Sequence, residues 1–95
     1  MSKEHQITKQ VEDYIAFKQG MGFKIKIESA ELRRFAKFAR IQNHQGTLTI
    51  DLALNWASEK SHYTRWYQAR RLETVHCFAK YAFAIDAETQ IPPTG

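Results

Sequence analysis

Between residues 47 and 58 the chain reads TLTIDLALNWAS, and the conformation of this stretch separates an all-helical protein from a mixed one. TLTIDL has the β-branched alternation of a strand, but it runs straight into LALNWAS, which does not. Ile50, Ala53, Leu54 and Ala57 recur at helical spacing, and Thr49 stands where an N-cap hydroxyl would accept from the first unpaired amides. The stretch therefore predicts a short helix over about 50–58, with Trp56 in the core.

Polar breaks flank it. NHQGT (43–47) carries a glycine just past a periodic segment, and EKSHYT (59–64) offers Ser61 and Thr64 as N-caps. Upstream, QGMGF (19–23) has Gly20 and Gly22, which can adopt positive φ and stop a helix. Downstream, IPPTG (91–95) cannot continue one, because Pro92 and Pro93 lack the amide hydrogen. Between these breaks the first pattern, about 4–19, repeats Ile7, Val11, Tyr14 and Ile15. The second, about 25–42, repeats Leu32, Phe35, Ala36 and Ala39. The fourth, about 63–85, repeats Leu72, Val75, Ala79, Ala82 and Phe83. The expected fold class is all-α: an orthogonal four-helix bundle with short loops, in one domain over 1–91.

Ninety-five residues suit one modest core, and 43% apolar with 13% aromatic residues excludes a disordered tail. Fourteen Lys and Arg against ten Asp and Glu leave a net charge of +4, which suits a polyanionic partner. Cys77 is the single cysteine, so no internal disulfide forms and a reducing cytoplasm is expected. The polar start MSKEHQITKQ is unlike a secretory signal, and no apolar run approaches the roughly 20 residues of a membrane span.

The cations are not scattered. At roughly 100° per residue, Lys26, Arg33, Lys37 and Arg40 cluster opposite the apolar stripe of the second pattern, with small Ala30 among them. Glu28 and Glu31 lie only at the edges, whereas a merely soluble helix usually mixes its signs. On the fourth pattern Arg70, Thr74, Cys77 and Tyr81 lie opposite the apolar side, flanked by Trp66 and Lys80, with Arg71 nearer the other margin. Arginine beside threonine and small residues suits a groove-facing surface, since Arg forks onto phosphate or guanine edges. One basic face is ordinary solvated surface; two on separate helices point to a polyanion.

The string WYQARRLETVHCFAKYAFAIDAETQIPPTG resembles the end of the N-terminal core-binding domain of tyrosine recombinases, the phage-integrase-like family. It matches in Arg70-Arg71-Leu72, Val75, Phe78, Tyr81 and the segment DAETQIPPTG, which in that family leads into the catalytic domain. Upstream, YIAFKQGMGFKIKIESAELRRFAKFA is similar to the family's first two helices, with the turn at Gly20-Met21-Gly22-Phe23-Lys24 and Leu32-Arg33-Arg34-Phe35 late in the second. The order and spacing extend over about residues 8 to 95. The resemblance implies a SAM-like domain forming half of a clamp around duplex DNA, with its second and fourth helices facing the major groove. By position it implies DNA contacts from Lys26, Ile27, Ala30 and Arg33, and from Trp66, Tyr67, Arg70 and Thr74. Lys24, Lys37, Arg40 and Lys80 join from geometry alone. The parent protein would act as a tetramer on DNA, associated with the nucleoid. The isolated domain is expected to be monomeric and to bind duplex DNA in a sequence-related way.

Recombinase chemistry needs a tyrosine nucleophile and a cationic cluster from a second domain, and the chain ends where that domain should start. The spacing of His62-Tyr63-Thr64-Arg65 mimics part of such a cluster by coincidence, and none of Tyr14, Tyr63, Tyr67 and Tyr81 is expected to be a nucleophile. The chain should bind DNA and leave it uncut. His5, His44, His62 and His76 lack the spacing of metal ligands, and no cofactor is implied. His76 is expected at the core edge, Cys77 as a quiet thiol, and Trp66 either packed at the helix start or stacked near DNA. Gly20 and Gly22 follow no strand and make no phosphate loop. Two alternatives stay open: a helical protein-interaction module meeting an acidic partner, with Phe38 and Ile41 in its apolar patch, and a helix-turn-helix repressor, which EKSHYT fits less well. The clamp reading requires Arg33 and Arg70 to converge on one ridge, untied by the molecule's own carboxylates.

Overall fold

The computed structural model describes residues 5–94. They form four α-helices, α1 (Gln6–Gly20), α2 (Lys26–Ile41), α3 (Ile50–Ala57) and α4 (Arg65–Ile85), with no strand among the described residues. The protein is all-α. TLTIDL is the cap and first turns of a helix: Thr49 is extended (φ −118°, ψ 156°) and its hydroxyl accepts from the Leu52 amide at 3.2 Å. Thr64 caps α4 in the same way, accepting from Tyr67 N–H at 3.1 Å. Helix bounds agree with the periodicity to within two residues, except that the expected start of α1 at 4 lies outside the described residues.

The chain divides between Gly46 and Thr47 into two compact units. In the first, α1 buries Ile7, Val11, Tyr14 and Ile15, and α2 buries Leu32, Phe35, Ala36 and Ala39, the residues that the periodicity selected. Both helices stop in a left-handed residue that lets two amides turn back. After α1 it is Gly22 (φ 90°), with Gly22 N–H on the Gln19 carbonyl and Phe23 N–H on that of Lys18. After α2 it is Asn43 (φ 59°), not Gly46, with its own amide on Arg40 and that of His44 on Ala39. At the other end of α1, His5 Nδ1 accepts from Thr8 N–H at 3.3 Å, which leaves Nε2–H to donate to the His44 carbonyl at 3.1 Å. One imidazole thus caps α1 and holds the loop that follows α2.

In the second unit α3 buries Leu52, Ala53, Trp56 and Ala57, and α4 buries Arg71, Val75, Phe78, Ala79 and Ala82. Both helices are rotated from the sequence expectation. Leu54 and Phe83, expected inward, are exposed, and Ile50 and Leu72 are only half-buried. The reason is Arg71. Its guanidinium lies 4.1 Å from the Trp56 ring centroid and 4.6 Å from that of Tyr63. It donates to the Trp56 carbonyl at 2.8 Å, to Glu59 Oε1 at 3.0 Å and to the Tyr63 hydroxyl at 3.1 Å. Burial works to lower the Arg71 pKa, but hydrogen bonding with Tyr67 and Glu59 and the tyrosines' electrostatic attraction hold it above the usual guanidinium value. A cation bonded through both terminal nitrogens and caged by aromatic rings, with only Nε left without a hydrogen bond, can occupy a core position that periodicity would give to leucine.

After α4 the chain returns. The Asp86 carboxylate accepts from Glu88 N–H at 3.0 Å, and Gln90 N–H reaches the Leu48 carbonyl at 3.0 Å. Gln90 Oε1 accepts from Ile50 N–H at 2.9 Å, so the tail satisfies a first-turn amide of α3 that Thr49 leaves open. Pro92 is fully buried, and its carbonyl accepts from His76 Nδ1–H at 2.7 Å. His76 is half-buried at the core edge, as its place beside the apolar face suggested.

Candidate nucleic-acid interface

The outer face of α4 follows from its inner one. With Arg71, Val75, Phe78 and Ala82 turned in, Trp66, Arg70, Glu73, Cys77 and Lys80 form a continuous exposed line along the helix. Their alternating steps of four and three residues keep such a line nearly straight. Trp66 is 69% exposed, which places it on the surface rather than in the core. The Arg70 guanidinium leans over its ring at 5.6 Å from the centroid. Trp66, Ala69, Arg70 and Glu73 line a shallow open depression. Periodicity alone put Arg70, Thr74, Cys77 and Tyr81 at the centre of this face; the true centre is turned toward Glu73.

That turn moves two expected contact residues to the flank. Thr74 is half-buried and its hydroxyl donates to the Arg70 carbonyl of its own helix at 3.1 Å. Tyr67 is half-buried, edge-on to Tyr63 with centroids 4.7 Å apart and 5.2 Å from the Arg71 guanidinium. Its ring helps to build the cage around Arg71 that goes with the rotation of α4. Lys80 is exposed on the outer line itself.

On α2 the outer line runs Ile27, Ala30, Arg34, Lys37 and Ile41, with Lys26, Arg33 and Arg40 along one flank. Arg33 is engaged. Its Nε and Nη2 donate to both oxygens of Glu12 on α1, at 2.9 and 3.0 Å. The hydrogen bond from Arg33 draws the Glu12 pKa below its usual value, more than burial raises it, and Arg33 is raised in turn. The expectation of an Arg33 untied by the molecule's own carboxylates is therefore corrected. Arg34, which the sequence reading left out, is exposed and pairs with Glu31 at 3.0 Å. Lys26, Lys37 and Arg40 are exposed without an ion partner among the described residues, as is Lys24 in the turn before α2. The α2 set lies in the first unit and the α4 set in the second.

Two residues of the His-x-x-Arg string have contacts within the fold. Tyr63 takes the Arg71 hydrogen bond, and His62 sits edge-on to Tyr63 with centroids 5.0 Å apart. Among the described residues no group of His, Cys, Asp and Glu could hold a metal ion, and no helix is long and apolar enough to cross a membrane. Glu12, Arg34 and Glu73 are the charged residues that single-helix reasoning missed at these faces. Glu73 could have been found by phasing α4 on Arg71; the Glu12–Arg33 pair joins residues 21 apart and leaves no local signal.

The chain is 40% identical over 85 residues to a protein of Sinorhizobium fredii (strain NBRC 101917 / NGR234) named "Putative integrase/recombinase y4rB". The match covers 90% of this chain and 27% of that protein, so the chain spans about a quarter of its relative's length. It supports a relationship to the integrase/recombinase proteins. No family model matches the chain, and no solved structure matches it.

Proposed function

We propose that this chain is a duplex-DNA-binding segment of a tyrosine recombinase, equivalent to the SAM-like core-binding half of its clamp. In this reading α4 carries the binding, and Arg33, held by Glu12, joins only when a phosphate displaces that carboxylate. The observation that carries the reading is the outer line of α4, where exposed Trp66, Arg70 and Lys80 stand on a helix whose rotation is locked by a buried arginine. The rigid helix presents a forked donor beside an aromatic ring, a pair suited to base edges and backbone. The exposed lysines Lys24, Lys26, Lys37 and Lys80, with Arg40, supply phosphate contacts. Strand cleavage belongs to the remainder of the parent protein, a tetramer on its DNA in this reading, and the chain alone leaves DNA uncut.

Titrating labelled duplex at several salt concentrations tests this. Affinity should fall by roughly 0.9 log units per log unit of salt for each phosphate neutralised. Arg70→Ala should weaken binding by about 1–3 kcal/mol, unequally among sequences if Arg70 reads a base. Absence of binding at low salt rejects the proposal. A second reading rests on Ile27 and Ile41, 61% and 68% exposed on the outer line of α2. A protein partner seated there would bind in a salt-tolerant way, and the uncharged change Ile41→Ser would abolish it while leaving duplex titrations unchanged.

A further inference from the structure

Glu73 is out of place on a surface meant for phosphates. It stands on the exposed line of α4 between Arg70 and Lys80 and lines the same depression as Trp66 and Arg70. No ion pair among the described residues engages it, and Arg70, one turn away, leans toward Trp66 instead. Near a phosphate such a carboxylate is repelled and loses its water without compensation. In the major groove it has one good partner. Cytosine presents only the N4 amino donor there, whereas adenine's amino group sits beside the N7 acceptor, which repels a carboxylate.

We infer that Glu73 is a specificity-determining residue of the DNA-binding face, accepting a hydrogen bond from a cytosine N4 amino group next to a guanine that Arg70 reads. The inference rests on the proposed duplex-binding function and deepens it. Three residues of helix advance about 4.5 Å, close to the roughly 3.4 Å step between base pairs. Arg70 and Glu73 therefore match neighbouring pairs. The unpaired charges present a donor fork and an acceptor side by side, and Trp66 steadies the fork. The carboxylate lowers affinity for every other sequence, which is how one negative group in a cationic surface creates discrimination.

The test is selection from a randomised duplex library with the whole chain, comparing the native protein with Glu73→Gln and Glu73→Ala. All three should give the same melting curve, because Glu73 is exposed. The native protein should enrich a cytosine beside a guanine. Both variants should lose roughly tenfold discrimination at the cytosine position, keep the guanine, and bind unselected duplex more tightly. If the variants gain affinity for all duplexes alike with base preferences intact, Glu73 contributes only bulk charge and the inference is overturned. If the native protein binds in a salt-dependent way without preferring cytosine, the inference also falls while duplex binding stands. If it binds no duplex at all, both fall.

Discussion

Arg33 donates two hydrogen bonds to Glu12, yet both side chains are at least half exposed, so water competes for each partner. Such a pair is worth less than about 1 kcal/mol. Its consequence is for binding, because a phosphate must displace Glu12 to reach Arg33. Glu12→Gln should therefore raise duplex affinity severalfold and steepen the salt dependence by roughly 0.9, for about one more phosphate contact, in anisotropy titrations. The folded-state pKa of Glu12 is depressed, so its small stabilisation is present above the ordinary carboxylate range. It is lost as pH falls through the depressed value, and urea unfolding of the native protein and Glu12→Gln should converge there. Arg71 is the opposite case. Buried and hydrogen-bonded, it should cost about 3 kcal/mol when replaced by alanine, because Glu59, the Tyr63 hydroxyl and a carbonyl all lose their donor. Equilibrium urea unfolding measures this, and a loss below about 1 kcal/mol would show that the cage is dispensable.

Most helix boundaries have a readable local cause; the start of α2 is the exception, since Ile25 gives it no side-chain cap. Thr49 and Thr64 cap as their positions suggested, and Gly22 takes the left-handed turn after α1. The end of α2 is more instructive. The break NHQGT was visible, but the left-handed residue is Asn43, one of the few types whose short polar side chain tolerates it. Asn43→Ala should destabilise the protein by about 1 kcal/mol, while Asn43→Gly should be neutral or slightly stabilising. Urea unfolding of the two variants checks this; equal effects would mean that the side chain, not the backbone, matters there. The rotation of α3 and α4 was less legible. Periodicity placed Leu54 inward where the structure buries Leu52, and it never places an arginine inside. Arg71 enters only because residues 56, 59, 63 and 67 supply its partners.

At the scale of the chain, the segment after Ile85 closes the second unit by returning to its beginning. Gln90 binds Leu48 and Ile50, and Pro92 is buried with its carbonyl on His76. Ending the chain after Ile85 should cost about 3 kcal/mol, from lost hydrogen bonds and the exposure of Leu48, and should lower the urea midpoint followed through tryptophan fluorescence. An unchanged midpoint would show that the tail merely rests on the surface. The helical class, the number of helices and their approximate limits could be derived from the order of residues, because capping, periodicity and turn chemistry act within a few positions. The core of the first unit followed from the same local rules. The partner of Arg33, the inward place of Arg71 and hence the outward place of Glu73 could not. Each depends on groups as far as 15 and 21 residues away, whose distances exist only once the helices have packed. A charge on one helix is free or engaged according to what its neighbour brings within hydrogen-bond reach.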